Sequence, residues 1–94
     1  MSVYFIVQEE IHDASALDEY VRKARMASGG GKLIARDDAP DVLEGDWHGG
    51  RCVVIEFPNE AAFRTWYDSP EYQAALKIRL AATDSRSALV RGVD

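Results

Sequence analysis

One carboxylate set inside an apolar run is the first residue that suggests chemistry. The stretch "RCVVIEFPN" places Glu56 among Val53, Val54, Ile55 and Phe57. A glutamate in such surroundings is rarely buried without a partner. Arg36 and Arg79 are the candidate partners for an ion pair. Left in a dry pocket instead, the carboxyl would titrate high and serve as an acid or base. A few residues on, "FRTWYDSPEYQ" sets Trp66, Tyr67 and Tyr72 around Asp68-Ser69-Pro70. Trp and Tyr pair a large apolar body with a polar tip, which suits the wall of a small-molecule pocket. The site expected from these residues lies between the sheet and the second and third helices. Glu56 is its acid, base or anchoring carboxylate, Trp66, Tyr67 and Tyr72 are its walls, and Arg36 and Arg79 are its cations. Such a site would deprotonate a small apolar metabolite and shelter the resulting anion, with no cofactor required. The alternative is a non-enzymatic ligand-binding or structural module, with the same residues as ion pair and aromatic core.

Other motifs carry less. Glu44, Asp46 and His48 alternate in "EGDWH", a carboxylate–histidine pattern, but glycines surround them and His12 is distant in sequence. No metal site is expected. "GGGK" lacks the Ser or Thr that a phosphate loop needs after its Lys, and its glycines follow a helical pattern instead of preceding one. Cys52 is the sole cysteine, so no internal disulfide forms, and it reads as a small buried thiol. The second and third helical segments contain no histidine to ligate a haem.

The elements that would position these residues follow from periodicity. "VYFIVQEEI" (3–11) is β-branched and aromatic, with apolar residues on both parities, as in a strand covered on both faces. Asp13 offers an N-cap, and Leu17, Tyr20, Val21 and Ala24 follow at helical spacing until Gly29-Gly30-Gly31. "KLIAR" (32–36) is a second strand, "VLEG" (42–45) a return to extended structure, "DWHGG" (46–50) a turn, and "RCVVIEF" (51–57) a third strand. Asn59 caps a helix bearing Phe63, Trp66 and Tyr67 on one face. Ser69 and Pro70 suit the cap and first position of another, which runs to about Ala82. "RSALVRGV" (86–93) closes the chain as a fourth strand.

That order, strand–helix–strand–strand–helix–strand, with right-handed crossovers, gives a ferredoxin-like α+β sandwich. Its four-stranded antiparallel sheet carries helices on one face, and residues 1–94 form one domain. The other face would expose an apolar sheet, which a second copy would cover, giving a homodimer. Acidic residues outnumber basic ones by 16 to 11, for a net charge of −5. That balance disfavours nucleic acid as a partner. No stretch approaches a membrane span or a secretory leader, so the expected location is the cytoplasm.

The segments "VLEGDW", "RCVVIEFPN" and "WYDSPEYQAALKIRLAA" closely resemble the domain-of-unknown-function family 1330, within the dimeric α/β-barrel superfamily. The resemblance runs from Tyr4 to Val93 and is most specific over 51–80. It implies a ferredoxin-like protomer and a barrel-like dimer. It implies no particular activity, because the superfamily includes cofactor-free monooxygenases, muconolactone isomerases and haem-dependent chlorite dismutases alike.

Overall fold

A computed structural model describes residues 1–27 and 29–93. Strand β1 (Val3–Ile11) leads into helix α1 (Ala14–Met26), then β2 (Lys32–Asp37) and β3 (Arg51–Phe57). Helices α2 (Glu60–Tyr67) and α3 (Pro70–Ala82) follow, and β4 (Thr83–Arg91) completes a sheet in the order β2-β3-β1-β4. Every neighbouring pair is antiparallel. This is the ferredoxin-like α+β arrangement expected from the sequence.

The caps are those the sequence suggests. Asp13 accepts a hydrogen bond from the Ala16 amide at 3.1 Å, and Asn59 accepts from Ala62 at 2.8 Å. Ser69 accepts from the Tyr72 amide at 3.2 Å, with Pro70 in the first turn of α3. "DSP" therefore ends α2 and starts α3.

Two expectations need correction. Residues 42–45 form no strand; they belong to an irregular arm, 38–50, that joins β2 to β3. No neighbouring strand offers it a ladder, and Leu43 is 90% exposed. Strand β4 begins at Thr83, three residues before the expected start. The Thr83 hydroxyl donates to the Arg79 carbonyl at 2.7 Å, and the His12 and Asp13 amides donate to Ala82. These bonds satisfy the end of α3 without a connecting loop.

The period of two along β1 sorts its side chains between faces. Val3, Phe5, Val7 and Glu9 are buried toward the helices, whereas Tyr4, Ile6 and Gln8 are half-buried on the opposite, helix-free face. The β1–β3 register pairs Val3 with Phe57, Phe5 with Ile55, and Tyr4 with Glu56. The core lies at the Phe5 end, where Phe5, Phe57, Phe63, Trp66 and Tyr72 pack together. Helix α1 rests against α3, and Leu17 is its one buried residue among those described. A gap lies between α1 and the sheet.

The arm is tied back to β1 at its end. The Gly50 amide donates to the Glu9 carbonyl at 3.0 Å, and His48 Nε2 lies 2.8 Å from the Asp84 carbonyl. Gly49 has φ +74°, and a Cβ there would collide with the backbone of Glu9. Gly45 has a similar φ of +69° but open space around it. Gly45→Ala should therefore cost about 1–2 kcal/mol from the left-handed backbone alone. Gly49→Ala should cost clearly more, because β1 must also shift. Paired urea melts of the two variants would measure the difference.

Candidate functional site

The gap between α1 and the sheet is a cavity of about 420 Å³. The expected place, between the sheet and α2 and α3, is filled instead by the aromatic core. Val7, Val53, Ile55 and Leu33 form its apolar floor, and Leu17 and Tyr20 of α1 its roof. Trp66 closes one end. Toward the other lie Glu9, Arg51 and Arg36, on three adjacent strands. The β1–β3 register sets Glu9 directly opposite Arg51, and the β2–β3 register sets Arg36 opposite Val53. Arg36 reaches this face because a bulge between Leu33 and Ala35 shifts the register of β2.

Glu9 is the carboxylate of this cavity. It is 4% exposed, yet among the described residues no side-chain hydrogen bond or ion pair holds its carboxyl. Burial pushes its pKa above the ordinary value, against the opposing fields of Arg79, Arg51 and Arg36. Behind it, Arg79 is 2% exposed, and among the described residues its Nε and Nη1 meet no acceptor. The Arg79 guanidinium stands 5.6 Å from the centre of the Tyr20 ring. The Tyr20 and Tyr72 hydroxyls share a hydrogen bond of 2.8 Å. Burial, reinforced by Tyr72, drives the Tyr20 phenol far above its usual range, so it stays protonated. Among the described residues the buried Trp66 indole N–H meets no acceptor either.

The expected site residues divide accordingly. Trp66 and Arg36 line the cavity, and Arg79 and Tyr72 stand behind its Tyr20 wall. Tyr67 packs instead in the aromatic core, 5.7 Å from Phe5 and 5.2 Å from Phe63 between ring centres. Glu56 is not in the cavity. Its pairing with Tyr4 puts it on the helix-free face, where it accepts from the Tyr4 hydroxyl at 3.3 Å. Neither Arg36 nor Arg79 pairs with it; Arg36 lies 3.5 Å from Asp38. Sequence reasoning does not single out Glu9, Tyr20 or Arg51. The signal for Glu9 is its parity, shared with Val3, Phe5 and Val7. His48 is engaged with Asp84, not gathered with Glu44 and Asp46.

The family model described as a domain of unknown function (DUF1330) matches residues 2–93. The chain belongs to that family. No curated protein matches it by sequence. Among solved structures, a protein of unknown function from Rhodopseudomonas palustris superposes with a TM-score of 0.82 at 23% identity, covering 99% of this chain and 83% of that one. A dimeric ferredoxin-like protein of unknown function from Jannaschia sp. CCS1 gives 0.71 at 14%, covering 98% and 100%. SnoaB from Streptomyces nogalater, a cofactor-independent oxygenase, gives 0.69 at 16%, covering 99% and 94%. At these identities the likeness shows a shared fold, and DUF1330 itself names no reaction.

The raised Glu9 carboxyl has a consequence for stability. Its folded form holds a proton that the unfolded chain has released, so stability falls as pH rises from about 4.5, the ordinary value, through the folded value. Glu9→Gln removes that loss. The variant should be more stable than the native chain at neutral pH. The gain should vanish as pH falls below the ordinary value. Urea melts across roughly pH 4 to 8 would show the two curves converging at the acid end.

Proposed function

We propose that the chain forms a homodimer through its helix-free sheet face, and that each subunit uses the α1–sheet cavity to bind a small metabolite and move a proton with Glu9. One observation carries the reading: a buried carboxylate without a fixed partner opens onto an apolar cavity large enough for a small organic molecule. A structural glutamate would be expected to hold a close ion pair in such a place. Glu9 instead sits within the field of three arginines and bonds to none of them, which leaves its oxygens free for a ligand. Glu9 would take a proton from a carbon or hydroxyl made acidic by a neighbouring carbonyl, and the arginines would stabilise the anion produced.

Isomerisation returns that proton elsewhere on the same molecule. Oxygenation would begin with the same deprotonation, and the cofactor-independent oxygenase among the structural relatives makes it a chemically consistent second outcome on this fold. The non-enzymatic alternative keeps the cavity as a binding site without turnover.

The dimer rests on the open face. Tyr4, Ile6, Val54 and Val90 lie there with no layer over them. Val42, Leu43 and Trp47 of the arm are substantially exposed as well, which suits a chain that a partner covers. Two of the structural relatives are described as dimeric.

Incubation with a panel of small ketones, lactones and phenols in D₂O, followed by proton NMR, tests the chemistry. The native protein should accelerate exchange of an acidic C–H in at least one compound. Glu9→Gln should slow that exchange by about 10²-fold or more, and Glu56→Gln should leave it nearly unchanged. Binding without exchange would favour the non-enzymatic alternative, and binding of no compound would remove the cavity site. For assembly, Val54→Lys puts a charge at the centre of the open face. Sedimentation should find twice the chain mass for the native protein and a monomer for the variant.

A further inference from the structure

Arg51 stands between two carboxylates. The β1–β3 register sets Glu9 opposite it on one side. On the other side, β2 pairs Arg36 with Val53 and Asp37 with Cys52. Carried one residue past the end of β2, that register brings Asp38 beside Arg51. Glu9 and Arg51 thus form a cross-strand row, and Asp38 extends it. The chain bends here: the Ala39 amide donates to Asp37 Oδ1 at 2.9 Å, a turn that aspartate closes readily. Of the two acids, Arg51 takes Asp38. Its Nε donates to Asp38 Oδ1 at 2.8 Å, and Arg36 Nε lies 3.5 Å from the same oxygen. Among the described residues neither guanidinium bonds to Glu9.

The two acids differ in what ionisation costs them. Glu9 is 4% exposed, and its burial disfavours the charged form. The Asp38 side chain is 63% exposed, so it ionises at little cost, and Arg51 holds its carboxyl below the usual range. A guanidinium offered both pairs with the one that stays charged. This choice explains why Glu9 stays out of an ion pair. A glutamate buried in the field of Arg79, Arg51 and Arg36 would ordinarily be locked to one of them. Asp38 engages two of the three, and Arg79 lies against the Tyr20 ring. Helix α1 also brings Tyr20 and Arg25 to the cavity, and β4 sets the uncharged Ser85 opposite Glu9. Among the described lining residues Glu9 is the sole carboxylate. Asp38 acts from outside the cavity, in an adjoining pocket that Glu9 and Arg51 also line, so it takes up no ligand space.

We propose that Asp38 is a positioning residue: by holding Arg36 and Arg51 it keeps both guanidiniums off Glu9, whose carboxyl is left free to exchange a proton with a ligand. The proposal rests on Glu9 as the proton-transfer group and adds the residue that keeps it available. Without Asp38, Arg51 would turn to the carboxylate across the strand. An ion-paired Glu9 would be a weaker base and would have fewer free lone pairs to offer.

A ¹³C NMR titration of the Glu9 carboxyl, assigned by Glu9→Gln, reads this without any ligand. Asp38→Asn, a change at an exposed side chain, should move the Glu9 midpoint to lower pH as the freed arginines turn to it. With Arg36→Gln and Arg51→Gln already in place, Asp38→Asn should leave the midpoint where it is. Glu10→Gln removes an equal charge from the same adjoining pocket but frees no arginine, so it should move the midpoint little. Asp38→Glu, which keeps a carboxylate within reach of Arg51, should restore most of the native midpoint. In the D₂O exchange assay, Asp38→Asn should carry the acid limb of the pH–rate profile down with the midpoint. Its alkaline plateau should fall about threefold or more. A Glu9 midpoint that Asp38→Asn leaves in place or raises, or that Glu10→Gln lowers as far, would overturn the positioning role even if the native protein exchanges C–H. If the native protein exchanges no C–H while the midpoint moves as expected, the proton-transfer reading fails and the hold of Asp38 on the arginines stands.

Discussion

Glu9 ends a column of side chains that is otherwise apolar, and the helical layer is arranged around its charge. Val3, Phe5 and Val7 come before it on the same face of β1, each nearly fully buried. An ionised carboxyl in that position would be costly without compensation. The compensation comes as a field, not a bond: Arg79 from α3, Arg51 from β3 and Arg36 from β2 all act on it. Arg79 is itself buried and needs the tyrosine pair and the Tyr20 ring to make its own burial tolerable. Packing α1 down onto the sheet would strip the remaining space from these groups without giving them partners. The helix leans on α3, and the cavity lies between it and the sheet.

The opposite end of the layer shows what happens where no charge intervenes. The Phe63 ring centre lies 5.3 Å from those of both Phe5 and Phe57, and Trp66 lies 3.9 Å from Tyr72. Aromatic contacts of this kind add about 0.5–1.5 kcal/mol each beyond the area they bury. The sheet thus has a dense half that holds the fold and a loose half that holds the polar groups. The two meet at Trp66, whose ring packs in the core and closes one end of the cavity. A site that leaves polar groups unmatched draws on stability supplied elsewhere, as functional sites commonly do.

Most of the fold is legible in the sequence because local rules and global topology agree. Asp13, Asn59 and Ser69 each cap the helix they precede, and the two apolar strands take the centre of the sheet. The arm misleads at Val42 and Leu43, since an apolar pair looks like a strand when the absence of a partner strand cannot be seen. The site is half legible. Trp66, Arg36 and Arg79 stand out, but the carboxylate that draws the eye is Glu56. Its shared parity with Cys52 and Val54 holds in the structure. Which parity faces the helices is decided by the pairing of Val3 with Phe57, a long-range fact. Glu9 stands in plain view at the polar end of "VYFIVQEEI", beside Glu10, where charges ordinarily mark a strand running out into water. Only the exposed Glu10 obeys that habit.

The same two strands serve both faces of the sheet, and this links the proposed assembly to the proposed site. Along β1, Phe5, Val7 and Glu9 look into the helical layer, and Tyr4, Ile6 and Gln8 look away from it. On β3 the partners of the first set line the cavity, and those of the second set lie on the open face. A second subunit on the open face would touch none of the cavity's lining. It would nevertheless hold β1 and β3 flat from behind, and with them the spacing between Glu9 and Arg51. Assembly on this sheet would therefore act on the geometry of the site and leave its chemistry to residues one position away. A change at Ile6 reaches the cavity only by way of the backbone, whereas a change at Val7 reaches it directly and leaves the opposite face intact.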